Sequence, residues 1–137
     1  MRSIGDTMDF MSKGKRIGKL RSAKRIGWEF YDQRWRGKEK VCPAFKEVVY
    51  ATRSGWNHLV EAKKRTKAEQ IRRLQVLPLA KKMLETAVTY QEHRIGRDKN
   101  THYFAFSGYL GGKKIKVIVR SKGFDGKKYF LSVMVLK

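Results

Sequence analysis

A histidine, an arginine and a serine carry the reactive chemistry this chain can offer: His58 in Trp56-Asn57-His58-Leu59, Arg120 closing Lys116-Val117-Ile118-Val119-Arg120, and Ser132 between Leu131 and Val133. An imidazole titrates near neutrality, so it can take a proton from a ribose 2′-hydroxyl or return one to a leaving 5′-oxygen. A guanidinium forks onto two phosphate oxygens and does not deprotonate, which suits the charge that builds on a pentavalent phosphorane. A hydroxyl inside an apolar strand needs a partner once covered. Ser132 could therefore hold a phosphate oxygen, orient the imidazole or guanidinium, or bond a neighbouring backbone group. Plainer readings stand beside these: an exposed or cap-associated histidine, and one more solvated arginine on a sheet.

Weaker candidates surround the three. Lys63, Lys64 and Arg65, with Lys67, form a basic run just past His58 that reads either as a solvated helix face or as a phosphate contact. Lys116 precedes Arg120 on the same strand face and could assist it. His93 and His102 could each serve as a second acid–base group or a substrate contact. A single cysteine, Cys42, excludes an intramolecular disulfide and a Cys-based zinc cluster, and the three histidines lack metal-site spacing. No P-loop, GxGxxG or HExxH motif occurs, so neither a metal nor a cofactor is expected.

Positioning these groups requires a scaffold, and its parts are legible. Residues 88–94, 102–110, 114–121 and 127–136 read as four strands separated by turn signals at 97–100, 111–112 and 123–126. Gly111-Gly112 suits a tight hairpin. Upstream, 47–52 reads as a short strand, and Ser54 as the N-cap of a helix carrying Trp56, Leu59 and Val60 on one side and His58, near its start, on the other. A second helical stretch from about Lys67 has Ile71, Leu74 and Leu77 at apolar spacing. Pro78 should kink it or restart it, continuing the stripe through Met83 and Leu84. The expected fold class is α+β: a short strand and two helices packed on a four-stranded, mainly antiparallel sheet. Alternation gives Ile115, Val117 and Val119 one face and Lys116, Ile118 and Arg120 the other. Applied to the last strand, it groups Ser132 with Phe130 and Met134, so that Arg120 and Ser132 point to the open face.

Residues 1–42 differ in character and are expected to form a basic N-terminal arm, partly helical or flexible, ahead of a domain at 43–137. Within the arm, Trp28, Phe30, Tyr31 and Trp35 lie among arginines. Such rings could stack on unpaired bases, but packing of the segment onto the domain is the preferred reading.

The chain carries 33 Lys and Arg against 12 Asp and Glu, a formal charge of +21 in 137 residues. That field favours polyanions through their phosphates without specifying sequence. No apolar run approaches the roughly 20 residues of a membrane span, and no export-signal core follows the basic start. The expected partner is RNA, with no membrane role.

The segments Ala51-Thr52-Arg53-Ser54-Gly55-Trp56-Asn57-His58-Leu59, Arg73-Leu74-Gln75-Val76-Leu77-Pro78, and the pair 116–120 and 129–133 together resemble the nuclease superfamily named for barnase, EndoU, the colicin tRNases and RelE, most of all its phage- and polymorphic-toxin-associated branches. The resemblance spans about residues 45–136. It implies two helices before a four-stranded antiparallel sheet and metal-independent cleavage of tRNA or other structured RNA. The histidine role falls on His58, the arginine role on Arg120 and the late-strand hydroxyl on Ser132. It further implies a toxin domain acting in the cytoplasm, delivered as part of a larger toxin or phage protein and restrained by an acidic immunity or antitoxin protein. The basic run 63–65 lacks the histidine several branches carry there. The alternative from charge alone is a non-catalytic RNA- or ribosome-binding protein.

Overall fold

Among the described residues, two glycines make the tightest turn between strands. Gly111 and Gly112 take φ of +56° and +76°, the left-handed backbone of a two-residue hairpin turn, and join β4 (Thr101–Leu110) to β5 (Lys113–Lys122). β5 returns against β6 (Lys128–Leu136), while β3 (Glu92–Ile95) pairs with β4; all three ladders are antiparallel. On the other side of β6 lies β2 (Glu47–Tyr50), parallel to it through Val49↔Lys128 and Tyr50↔Tyr129, with β1 (Val41–Cys42) antiparallel to β2. This computed structural model describes residues 13–61 and 65–137 as an α+β fold with one six-stranded mixed sheet in the order β1-β2-β6-β5-β4-β3.

The four expected strands correspond to β3 to β6, although β3 starts at Glu92 rather than 88. The four-stranded, mainly antiparallel sheet is corrected to six strands with a parallel pair. Two residues of β1 carry no alternation to read, and the parallel seat of β2 is set by a partner about eighty residues away.

Among the described residues, four α-helices accompany the sheet. α1 (Lys13–Phe30) runs into a π-helical turn at Tyr31–Trp35. α2 (Arg53–Val60) follows β2, and its N-cap is Thr52, whose hydroxyl accepts from the Gly55 N–H at 3.1 Å, rather than Ser54. α3 (Lys67–Gln75) is capped the same way by Thr66. α4 (Leu77–Thr86) starts afresh at Pro78, where a missing N–H costs nothing in a first turn, so the expected second helix is two.

The core lies between the helices and one face of the sheet. Ile115, Val117 and Val119 of β5 are buried with Phe104 and Phe106 of β4, Phe130 and Val133 of β6, and Leu59, Leu74, Leu77, Ala80 and Leu84 of the helices. Residues assigned to the arm belong here too: Tyr31, Trp35 and Cys42 are buried. Trp35 meets Phe130 at 4.7 Å between ring centroids, and Trp28 meets Trp56 edge-on at 5.2 Å. The aromatic cluster thus packs the N-terminal segment onto the domain, and the core draws on residues well before position 43. A β-bulge in β6 corrects the simple alternation. The register passes from Ile118↔Ser132 to Val119↔Phe130, so Leu131 is the extra residue and Phe130 joins Val119 in the core while Ser132 stays in register with open-face Ile118.

Candidate active site

Where β2 stops at Tyr50, β6 continues without a neighbouring strand, and α2 lies along that exposed edge. The contact is close enough to demand glycine. A Cβ on Gly55 would stand 2.5 Å from the Phe130 carbonyl oxygen and 2.9 Å from the Tyr31 hydroxyl oxygen. That hydroxyl donates to the Thr52 carbonyl at 2.8 Å, and burial pushes the phenol well above its ordinary pKa, so it remains a donor. The far end of α2 is fastened by Arg65 Nη1, which donates to the Leu59 carbonyl at 2.7 Å, and by Gln70 Nε2, which donates to the Val60 carbonyl at 3.2 Å.

His58 sits in the last turn of α2, not near its start, and its side chain is exposed opposite the buried Trp56 and Leu59. Its pKa lies below the ordinary value. Partial loss of hydration is the largest cause, followed by the guanidinium charges of Arg65 and Arg120; Glu61 opposes them and Arg73 adds to them. Cations from the segment after α2, from α3 and from β5 therefore act on one imidazole, which is held neutral at physiological pH.

Ser132 is buried and accepts a hydrogen bond from Arg73 Nη1 at 3.3 Å. Arg73, itself buried, places Nη2 and Nε at 2.6 and 3.2 Å from Glu69 Oε2. Among the partners open to Ser132, the structure supplies a guanidinium, though from α3 rather than from Arg120. Arg73 and Glu69 had no assigned role from the sequence, where their i,i+4 spacing was the only available signal. Arg120 is half-buried on the open face, cross-strand to Tyr103 and Tyr129, and no carboxylate pairs with it among the described residues.

The remaining candidates divide. Arg65 belongs to the His58 cluster. Lys63 and Lys64 lie outside the described residues. Lys116 shares the open face with Arg120 but pairs with Glu92 at 3.1 Å. His93 and His102 do not join the cluster. They stack on Phe104 on the helix-side face near the opposite edge of the sheet, with His93 Nε2 2.7 Å from His102 Nδ1. Strand alternation puts them on the face opposite Arg120. Among the described residues no three His, Cys, Asp or Glu side chains gather as a metal set.

The arrangement offers a neutral base in the field of three guanidiniums, of which Arg73 is paired with Glu69, suited to a reaction that takes a proton and develops an anion. Comparison with protein-family models, with curated proteins and with solved structures finds no match to this chain.

Proposed function

We propose that this protein is a metal-independent endoribonuclease that cleaves tRNA or another structured RNA by attack of a ribose 2′-hydroxyl on its own phosphate. The observation that carries the reading is the convergence of Arg65, Arg120 and Arg73 on the field at His58. Neutral His58 takes the 2′-hydroxyl proton as the 2′-oxygen bonds to phosphorus. The bond to the 5′-oxygen breaks, and the imidazolium returns a proton to that leaving oxygen. The products are a 2′,3′-cyclic phosphate and a 5′-hydroxyl. Arg120, with Lys116 beside it, stabilises the phosphorane. Ser132 acts through Arg73, holding one edge of that guanidinium while Glu69 holds another.

The same reading makes the chain a toxin domain acting in the cytoplasm, delivered within a larger toxin or phage protein and neutralised by an acidic immunity protein that covers its charge. The charge of +21 by itself equally favours an RNA- or ribosome-binding protein without catalysis. Incubating total RNA in EDTA with the wild type and with His58→Ala separates the two. Discrete fragments ending in cyclic phosphate, lost in the variant, are expected. Intact RNA beside folded wild-type protein leaves only the binder.

A further inference from the structure

The strand register lines up one row of side chains across the open face of the sheet. Arg94 of β3 is directly cross-strand to Tyr103 of β4, Tyr103 to Arg120 of β5, Arg120 to Tyr129 of β6, and Tyr129 to Tyr50 of β2. Directly paired residues project to the same side, so the row stands on a single face, opposite Phe104, Val119 and Val49 of the core. The members touch. The Arg94 guanidinium carbon lies 4.9 Å from the Tyr103 ring centroid, the rings of Tyr50 and Tyr129 are 6.0 Å apart, and Lys127 Nζ stands 5.5 Å over Tyr50. Every member keeps part of its surface in solvent: Arg94 and Tyr50 are exposed, and Tyr103, Arg120 and Tyr129 are half-buried.

Among the described residues, Lys116 is paired with Glu92 on this face, whereas no carboxylate pairs with Arg94 or Arg120. Rings that alternate with uncompensated guanidiniums fit a ligand that alternates flat faces with negative charge. A shallow groove of about 80 Å³ opens at the Arg94–Tyr103 end of the row, bordered also by Ala105, Ile118 and the paired Glu92 and Lys116.

We infer that this row is a binding track for single-stranded RNA. Tyr103, Tyr129 and Tyr50 offer their faces to unpaired bases, and Arg94 and Arg120 take the phosphates between them. Four inter-strand steps of about 4.8 Å give a track of roughly 19 Å, room for about three to five nucleotides. A duplex hides its base faces within its own stack and cannot use the rings. Because Arg120 lies in the row and is also the residue the nuclease reading assigns to the phosphorane, the track would deliver an unpaired segment toward that centre. Only this last step rests on the nuclease reading; binding does not.

The test uses a fluorescent 2′-O-methyl RNA decamer, which lacks the attacking hydroxyl, and its fully paired duplex. Affinities are measured for the full chain over a range of salt. Tyr103→Leu and Tyr129→Leu should each weaken single-strand binding by about tenfold with an unchanged salt slope, leave duplex binding unchanged, and be rescued by Tyr103→Phe and Tyr129→Phe. Arg94→Gln should lower the salt slope by about one. Tyr109→Leu, on the same face but outside the row, should bind like the wild type. Equal losses on single strand and duplex, or no loss with folded protein, overturn the track. Intact ring-dependent binding without cleavage of natural RNA overturns the nuclease centre instead.

Discussion

Arg73 and Ser132 stand 59 positions apart in sequence and 3.3 Å apart in space, joined inside the seam where α3 meets the bulged edge of β6. The bond ties a helix to a strand edge that has no strand partner of its own, and the Arg73 charge adds to the field that lowers the His58 pKa. Ser132→Ala removes a hydrogen bond to a charged donor, a loss of about 2 kcal/mol in urea unfolding. Combined with Arg73→Met in a double-mutant cycle, it should show a coupling of about 1 kcal/mol or more. Strict additivity of the two substitutions would mean that the bond does not hold this seam.

The depressed pKa of His58 has a sign that can be checked without any activity. Removing a neighbouring cation favours the imidazolium, so Arg120→Gln should raise the His58 pKa toward its ordinary 6.5, followed by NMR titration of the ring. An unmoved titration would place Arg120 out of reach of the imidazole. Since the folded pKa lies below the unfolded one, the unfolded chain binds the proton more readily. His58 therefore subtracts stability as pH falls through the unfolded value and nothing above it. Cleavage should rise with pH along a limb whose midpoint lies below 6.5 in the wild type.

Gly55→Ala forces a methyl against the Phe130 carbonyl oxygen and the Tyr31 hydroxyl, neither of which is the free end of a flexible chain. A loss of about 2 kcal/mol is expected, seen as a melting temperature roughly 6–10 °C lower. A variant melting with the wild type would show that α2 does not seat against β6 at this residue.

Asp98 organises the turn between β3 and β4. Its carboxylate accepts from the Thr101 hydroxyl at 2.6 Å and from the N–H groups of Asn100 and Thr101 at 2.9 and 2.8 Å, bonds that hold its pKa well below the carboxylate range. Stability from a depressed carboxylate is present above its unfolded value of 3.8 and is lost as pH falls through the folded one. Asp98→Ala should thus melt earlier than the wild type at pH 7, by an amount that shrinks once the pH drops below 3.8. A constant gap across that range would remove the carboxylate from the account.

Period-two alternation in the last third gave away the hairpin strands, and the Gly111-Gly112 turn could be placed because a left-handed two-residue loop is nearly a glycine monopoly. The restart at Pro78 followed from a missing N–H. The cluster was legible only as residue types. His58, Arg120 and Ser132 could be named from their chemistry, but the sequence held no sign that Arg73 would hold Ser132, nor that His93 and His102 would stack on the opposite side of the sheet from Arg120. The Ser132 placement depends on the extra residue in β6 and the strand-free edge beyond β2, and that of the two histidines on the pairing of β3 with β4, all long-range matters of register. Local sequence determined which segments became strands and helices, because propensity and alternation act over a few neighbouring residues. The tertiary structure alone decided which faces and edges meet, because one bulge or one parallel pairing turns every side chain beyond it to a different neighbour.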